Sequence, residues 1–187
     1  MLNVDKTKFS DQALLNLCIS GSELGYSQFY HRFSKSVFNT IFRLITNLSE
    51  AEDLTQEIFI SVFSDLQKLK NIENIGAWLN RVAINKSISL LRKKKIYFSD
   101  IESVSIMDES EEQLNEKQNW DNKVDEILLA IDSLPIETRT IVNLYLFENI
   151  PHEEIANLLG ISHTTVRSKY HRAKKKISEL MQQTTLS

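Results

Sequence analysis

HEEIANLLGISHTTVRSKYHRAKKKI, residues 152–177, is the stretch whose spacing decides the fold. Ala156 is small where two helices must approach closely, and Gly160 follows where a tight turn needs positive φ. Ser162 can cap a second helix, and Val166 would plug that helix into the first. Along the second helix, Val166, Tyr170, Ala173 and Ile177 make an inner stripe. Thr164, Arg167, Ser168, His171 and Arg172 make the outer one. The layout is a helix-turn-helix. Other helical hairpins share this spacing, and it is the basic outer stripe that points to DNA. Arginine can grip guanine edges with two hydrogen bonds, and serine or threonine can reach a base or a phosphate.

Working outward, a second basic stretch runs GAWLNRVAINKSISLLRKKK over residues 76–95. On a helical wheel Leu79, Ala83, Ile84, Ile88, Leu90 and Leu91 share one side. Trp78, Arg81, Asn85, Ser89 and Arg92 share the other, with Lys86 and Lys93 at its edge. One face suits a core; the other suits a polyanion with exposed bases. The closing run of cations also complements the helix dipole, so part of it has a purely structural use.

The remaining segments read as helices too. Ser10 is placed to cap a helix carrying Leu14, Leu17 and Cys18, ending near Gly21. Leu24–Leu48 carries Phe29, Phe33, Val37, Ile41 and Leu44 at helical spacing, a core stripe. Ser49 to Glu52 matches a capping box opening a helix through about Leu69. On that helix Asp53, Gln56, Glu57 and Ile60 share a face, with Phe59 and Phe63 an aromatic pair beside it. This face reads equally well as a solvated acidic surface or as a docking surface built on an exposed Phe59. Asn71–Gly76 reads as a loop. After an acidic stretch, Val124, Ile127, Leu128 and Ile131 form one amphipathic helix, and Pro135 opens another through Phe147.

The fold class is therefore all-α, with two helical domains, 1–97 and 121–187, joined by an acidic flexible linker, 98–120. Only four glycines and two prolines among 187 residues argue against turn-rich β architecture. The net charge of −3 hides a strong pattern. Acids dominate from Asp100 to Glu126, whereas none occurs from Arg81 to Lys95 or from Arg167 to Lys176. Such a pattern fits a protein delivered to nucleic acid by a larger partner better than a free-standing binder, whose domain is usually basic overall. No apolar run approaches a membrane span, so no membrane insertion is expected. The lone Cys18 offers no disulfide or zinc cluster, and a cytosolic setting follows. His31, His152, His163 and His171 lack metal-ligand spacing, and no nucleophile–base pair or phosphate loop stands out. No cofactor, metal or catalytic residue is expected.

Taken together the chain resembles bacterial RNA polymerase sigma factors of the small two-domain extracytoplasmic-function (ECF) type, from Leu14 to Leu180. AEDLTQEIFISVF, WLNRVAINKSISLLRKKK and residues 134–177 carry the resemblance, in that order. It implies a sigma region 2-like helical bundle and a sigma region 4-like helix-turn-helix. It implies that Asp53, Gln56, Glu57 and Phe59 grip core RNA polymerase. The loop from Lys70 to Gly76 would hold a base flipped from the melted minus-ten element. Trp78, Arg81, Asn85, Lys86, Ser89, Arg92 and Lys93 would bind that element's duplex edge. Thr164, Arg167, Ser168, His171 and Arg172 would read the minus-thirty-five element. The acidic linker would thread basic polymerase channels. The resemblance further implies an anti-sigma partner, a stress or envelope-type regulon and a bacterial cytoplasmic location. Three positions depart from the family pattern: Ser89 where an Asp is usual, Ile75 where a Phe is usual, and Pro151 where Ser or Thr often caps. Two other readings stay open on the residues themselves: an autonomous dimeric helix-turn-helix regulator, and a helical adaptor whose basic faces bind acidic partners.

Overall fold

The computed structural model describes residues 9–94 and 121–184; the linker, including Trp120, lies outside them. The chain divides into two compact units between Lys94 and Lys95. The described residues form eight α-helices and one 3₁₀ turn.

In the first unit α1 (Asp11–Ile19) starts where Ser10 Oγ accepts the Ala13 N–H at 3.2 Å. Ser22 does the same for α2 (Glu23–Ile45), accepting from Gly25 N. α2 is the post on which α1, α3 (Leu48–Ser64) and α4 (Ile75–Lys93) pack. Its stripe of Phe29, Phe33, Val37, Ile41 and Leu44 is buried, as the period predicts. Gly25 sets how closely α1 approaches. A Cβ there would lie 2.7 Å from Leu17 Cβ and 2.8 Å from the Cys18 backbone nitrogen.

The α2–α3 corner falls earlier than the expected capping box. α2 ends at Ile45, Thr46 turns the chain at φ 60°, and Asn47, not Ser49, caps α3 through Glu50 N at 3.0 Å. Two overlapping cap-like pairs, Asn47 with Glu50 and Ser49 with Glu52, occur here. The chain uses the first, and Ser49 becomes an ordinary helical residue. α3 also stops sooner than expected. Asp65 leaves helical geometry at φ −146°, and a 3₁₀ turn over Leu66–Leu69 tucks Leu66 and Leu69 into the core. The loop that follows is shorter than expected. Asn74 Oδ1 accepts the Ala77 N–H at 2.9 Å, so α4 begins at Ile75, itself fully buried.

In the second unit α5 (Asp121–Asp132), α6 (Ile136–Leu146) and α7 (His152–Leu159) all pack on α8 (His163–Thr184). Ile131, Leu134, Val142 and Ala173 form one part of the core, with Ile127, Tyr170 and Ile177 against it. Gly160 closes α7 at φ 72°, and the N–H groups of Gly160 and Ile161 both donate to the Ala156 carbonyl. Ser162 then caps α8 by accepting the Thr165 N–H at 3.1 Å. Val166 is completely buried between the two helices. Pro151 stands at the α7 cap position without a side-chain hydrogen bond to give. A largely buried ion pair, Lys169 to Glu137 at 2.5 Å, ties α8 to α6.

Candidate nucleic-acid interface

Burial of Val166 and Ala173, with Tyr170 partly buried at the edge, leaves the opposite side of α8 outward. Thr164, Arg167, His171 and Arg172 are exposed there. Ser168 is half-buried, and its Oγ accepts a hydrogen bond from Arg172 Nη2 at 3.0 Å, which orients that guanidinium. The predicted outer stripe is therefore one continuous surface. It contains a concavity of about 530 Å³ lined by His152, Thr164, Arg167, Ser168, Tyr170, His171 and Lys174.

The wall of that concavity includes residues the outer stripe alone does not show. His152, first residue of α7, packs at a tilt against Tyr145 at 4.4 Å and Tyr170 at 5.0 Å, with His163 at 6.5 Å. Burial, and then the positive charges of His163 and Arg167, hold the His152 imidazole below its ordinary pKa. The Tyr170 hydroxyl is pushed up, by burial first and by Tyr145 second. In the sequence His152 lies at the far end of α7, about two helical turns and a corner before the recognition stripe, and no periodicity connects the two.

On α4 most positions of the wheel fall on the expected sides, with Leu79, Ala83, Ile84, Ile88 and Leu91 buried and Leu90 half-buried. Asn85, Ser89, Arg92 and Lys93 are exposed, while Arg81 and Lys86 are half-buried. Trp78 is less free than the wheel suggests, since it packs against the hydrophobic core. The Ser89 hydroxyl donates to the Asn85 carbonyl at 2.8 Å, so it serves the helix backbone first. Lys86 pairs with Glu57 of α3, and Lys94 pairs with Glu50. Ion pairs thus join the basic helix to the acidic one, and they bring Lys86 of the DNA set onto Glu57 of the polymerase set.

α3 presents Asp53, Gln56 and Glu57 to solvent. Phe59 does not join them. It is 2% exposed, with rings of Tyr30, Phe63 and Phe29 at 4.8, 5.9 and 6.4 Å. The expectation of an exposed Phe59 is corrected: α2 brings its own aromatics to that side of α3, and the ring joins the core. The apolar group on the acidic face is Ile60, 70% exposed. Beside it Tyr30, Lys35, Phe38, Glu52, Thr55 and Gln56 line a shallow concavity of about 390 Å³ between α2 and α3.

Among the described residues no group of three or more His, Cys, Asp or Glu could hold a metal ion. No helix there is long and apolar enough to cross a membrane.

Residues 29–96 match the family model described as Sigma-70 region 2, and residues 125–177 match Sigma-70, region 4. The ECF RNA polymerase sigma factor SigE of Mycolicibacterium smegmatis is 30% identical, over 83% of this chain and 61% of its own. The chain belongs to the sigma-70 family, in its ECF group. Members of this family are promoter-specificity subunits and not enzymes. Sigma factor SigV of Bacillus subtilis is 29% identical over 91% of this chain and 92% of that protein. The ECF sigma-E factor of Escherichia coli K12 is 24% identical over 94% and 96%. Among solved structures, CnrH in complex with the cytosolic domain of CnrY has a TM-score of 0.51 at 19% identity, covering 92% of this chain and 97% of that one. RpoE of Bartonella quintana in complex with the anti-sigma factor NepR also has a TM-score of 0.51, at 21% identity over 84% and 96%. Both likenesses support the fold.

Proposed function

We propose that this ECF family member binds core RNA polymerase, recognises two-part promoters and assists strand opening for a stress or envelope-type regulon in the bacterial cytoplasm. The observation that carries the reading is that each unit presents one helix with a cationic outer face. No acid occurs on α4 from Arg81 to Lys93, or on α8 from Arg167 to Lys176. α8 reads the minus-thirty-five duplex through Thr164, Arg167, Ser168, His171 and Arg172. α4 and the loop before it handle the minus-ten element, with Arg81, Asn85, Arg92 and Lys93 on the backbone and edge of the opening duplex. Asp53, Gln56, Glu57 and Ile60 of α3 dock on the polymerase, an acidic and apolar face suited to a basic helical partner. Because Glu57 already holds Lys86, polymerase docking that engages Glu57 releases Lys86 toward DNA. Residues 98–120, with their acidic composition, connect the two functions through basic channels of the polymerase. CnrH and RpoE were solved as complexes with CnrY and NepR, and by analogy this chain is held by an anti-sigma partner until needed.

The test is reconstitution. The purified chain is mixed with core RNA polymerase and a promoter library, and the transcripts are sequenced. Initiation at a two-part motif supports the reading. Tight palindrome binding without polymerase, and no initiation with it, would put an autonomous regulator in its place.

A further inference from the structure

The concavity on α8 has a property that base or backbone contact alone does not require. Its wall includes a histidine clustered with two tyrosine rings that also touch each other, and its buried Nε2 has no hydrogen-bond partner. From α8 the charged and titratable groups facing this imidazole are His163, Arg167 and Tyr170, and from α6 Tyr145. His171 and Lys174 line the same concavity, and Glu153 and Glu154 flank His152 on α7 itself. Glu137 and Lys169, the other charges where α6 meets α8, are committed to each other.

Resting on the DNA-binding reading above, we propose that the concavity seats a nucleic-acid backbone phosphate and that His152 takes up a proton when the phosphate arrives. The physical case has three parts. The lining supplies cations, Arg167 and Lys174, and hydroxyls, Thr164 and Ser168, which together suit a phosphate monoanion. A phosphate there offsets the positive charge of Arg167 and His163, which in the free protein keeps the imidazole neutral beyond what burial does. The Tyr145 and Tyr170 rings beside the imidazole add a cation–π attraction once it is charged. The coupling runs through charge across the concavity and requires no direct bond from Nε2 to the phosphate.

The sign follows from linkage. A group whose pKa rises on binding makes the complex tighter at low pH, and that gain is lost as pH rises through the bound-state value. Each unit of rise gives about a tenfold difference in affinity between the two limits.

The experiment uses the full chain with histidine ring carbons labelled, and a duplex taken from the promoters it selects with polymerase. The His152 ring resonance, assigned by its loss in His152→Gln, is titrated with pH in the free protein and in the complex. The expected result is a midpoint that moves up by about one unit on adding duplex, with matching proton uptake in calorimetry in two buffers. The uptake from His152 disappears in His152→Gln. Duplex binding that is abolished by Arg167→Glu but leaves the His152 midpoint in place would overturn the proposal and spare the DNA-binding reading. A duplex that binds equally well with Arg167→Glu would sink that reading and the proposal with it; a duplex that the full chain alone does not bind would overturn the proposal and spare a reading in which polymerase delivers the chain.

Discussion

Phe59 and Ile60 are neighbours on α3 with opposite fates, and exchanging each for alanine separates core from docking surface. Phe59 is 2% exposed and meets three aromatic rings within 6.4 Å. Truncating a buried phenylalanine costs about 3–5 kcal/mol through lost transfer energy plus the cavity left behind. A small helical unit has only about 5–15 kcal/mol of stability to lose, so Phe59→Ala removes a large part of it. Ile60 is already 70% exposed, so Ile60→Ala gives up little burial and shifts stability by no more than about 0.5 kcal/mol. The two units need not unfold together, so the readout must be local. Hydrogen exchange of α2 and α3 amides in urea reports the opening of the first unit. Titration against labelled core polymerase reports docking. The expected outcome is a double dissociation. Phe59→Ala loses exchange protection, whereas Ile60→Ala keeps it and binds polymerase several-fold more weakly. Phe59→Ala with full protection and no polymerase binding would refute the argument, because it would make Phe59 an exposed contact after all.

Three further outcomes follow from the same geometry. Gly25→Ala gains about 1 kcal/mol of helix propensity but drives a Cβ to 2.8 Å from the backbone of Cys18. Backbone cannot swing aside, so overpacking of about 1–3 kcal/mol should win, read as lost protection in α1 and α2; increased protection would show that α1 is free to shift. Gly160→Ala places a side chain at φ 72° and should cost about 1–2 kcal/mol, read as faster exchange in α7; no change would mean that the corner relaxes. The His152 pKa is lower folded than its ordinary value of 6.5, so the unfolded chain binds the proton more tightly. Its contribution to the second unit is complete above that value and is lost as pH falls through the folded value, first through burial. Urea midpoints of the second unit should therefore drop on acidification below about pH 6.5, and less so in His152→Gln. Equal slopes in the two proteins would contradict this.

Much of this architecture is legible in the chain because helices announce their buried faces by period. The α2 stripe from Phe29 to Leu44 and the α8 stripe from Val166 to Ile177 lie on the sides the spacing predicts. Local caps were legible where one candidate stood alone, as at Ser10 and Ser162. They were not where two overlapped, as at Asn47 and Ser49, because the choice depends on where α2 stops against its neighbours. Phe59 shows what a single-helix wheel leaves out. Thr55 and Val62, four before it and three after, are both buried and mark its side of α3 as inward. The charged Asp53 and Glu57 lie on the other, solvent-facing side. The pairing of Lys86 with Glu57, and the packing of His152 against Tyr145 and Tyr170, join different helices and appear only once the helices are packed.

On the proposed function, the outer face of α8 selects promoters for RNA polymerase. Arg167 is exposed on that face, so its reversal to glutamate should leave the fold intact. Transcription by core polymerase with Arg167→Glu, from promoters selected by the unaltered chain, measures this directly. The expected result is loss of initiation by about tenfold or more at two-part promoters, with polymerase binding retained. Undiminished initiation from the same promoters would contradict it.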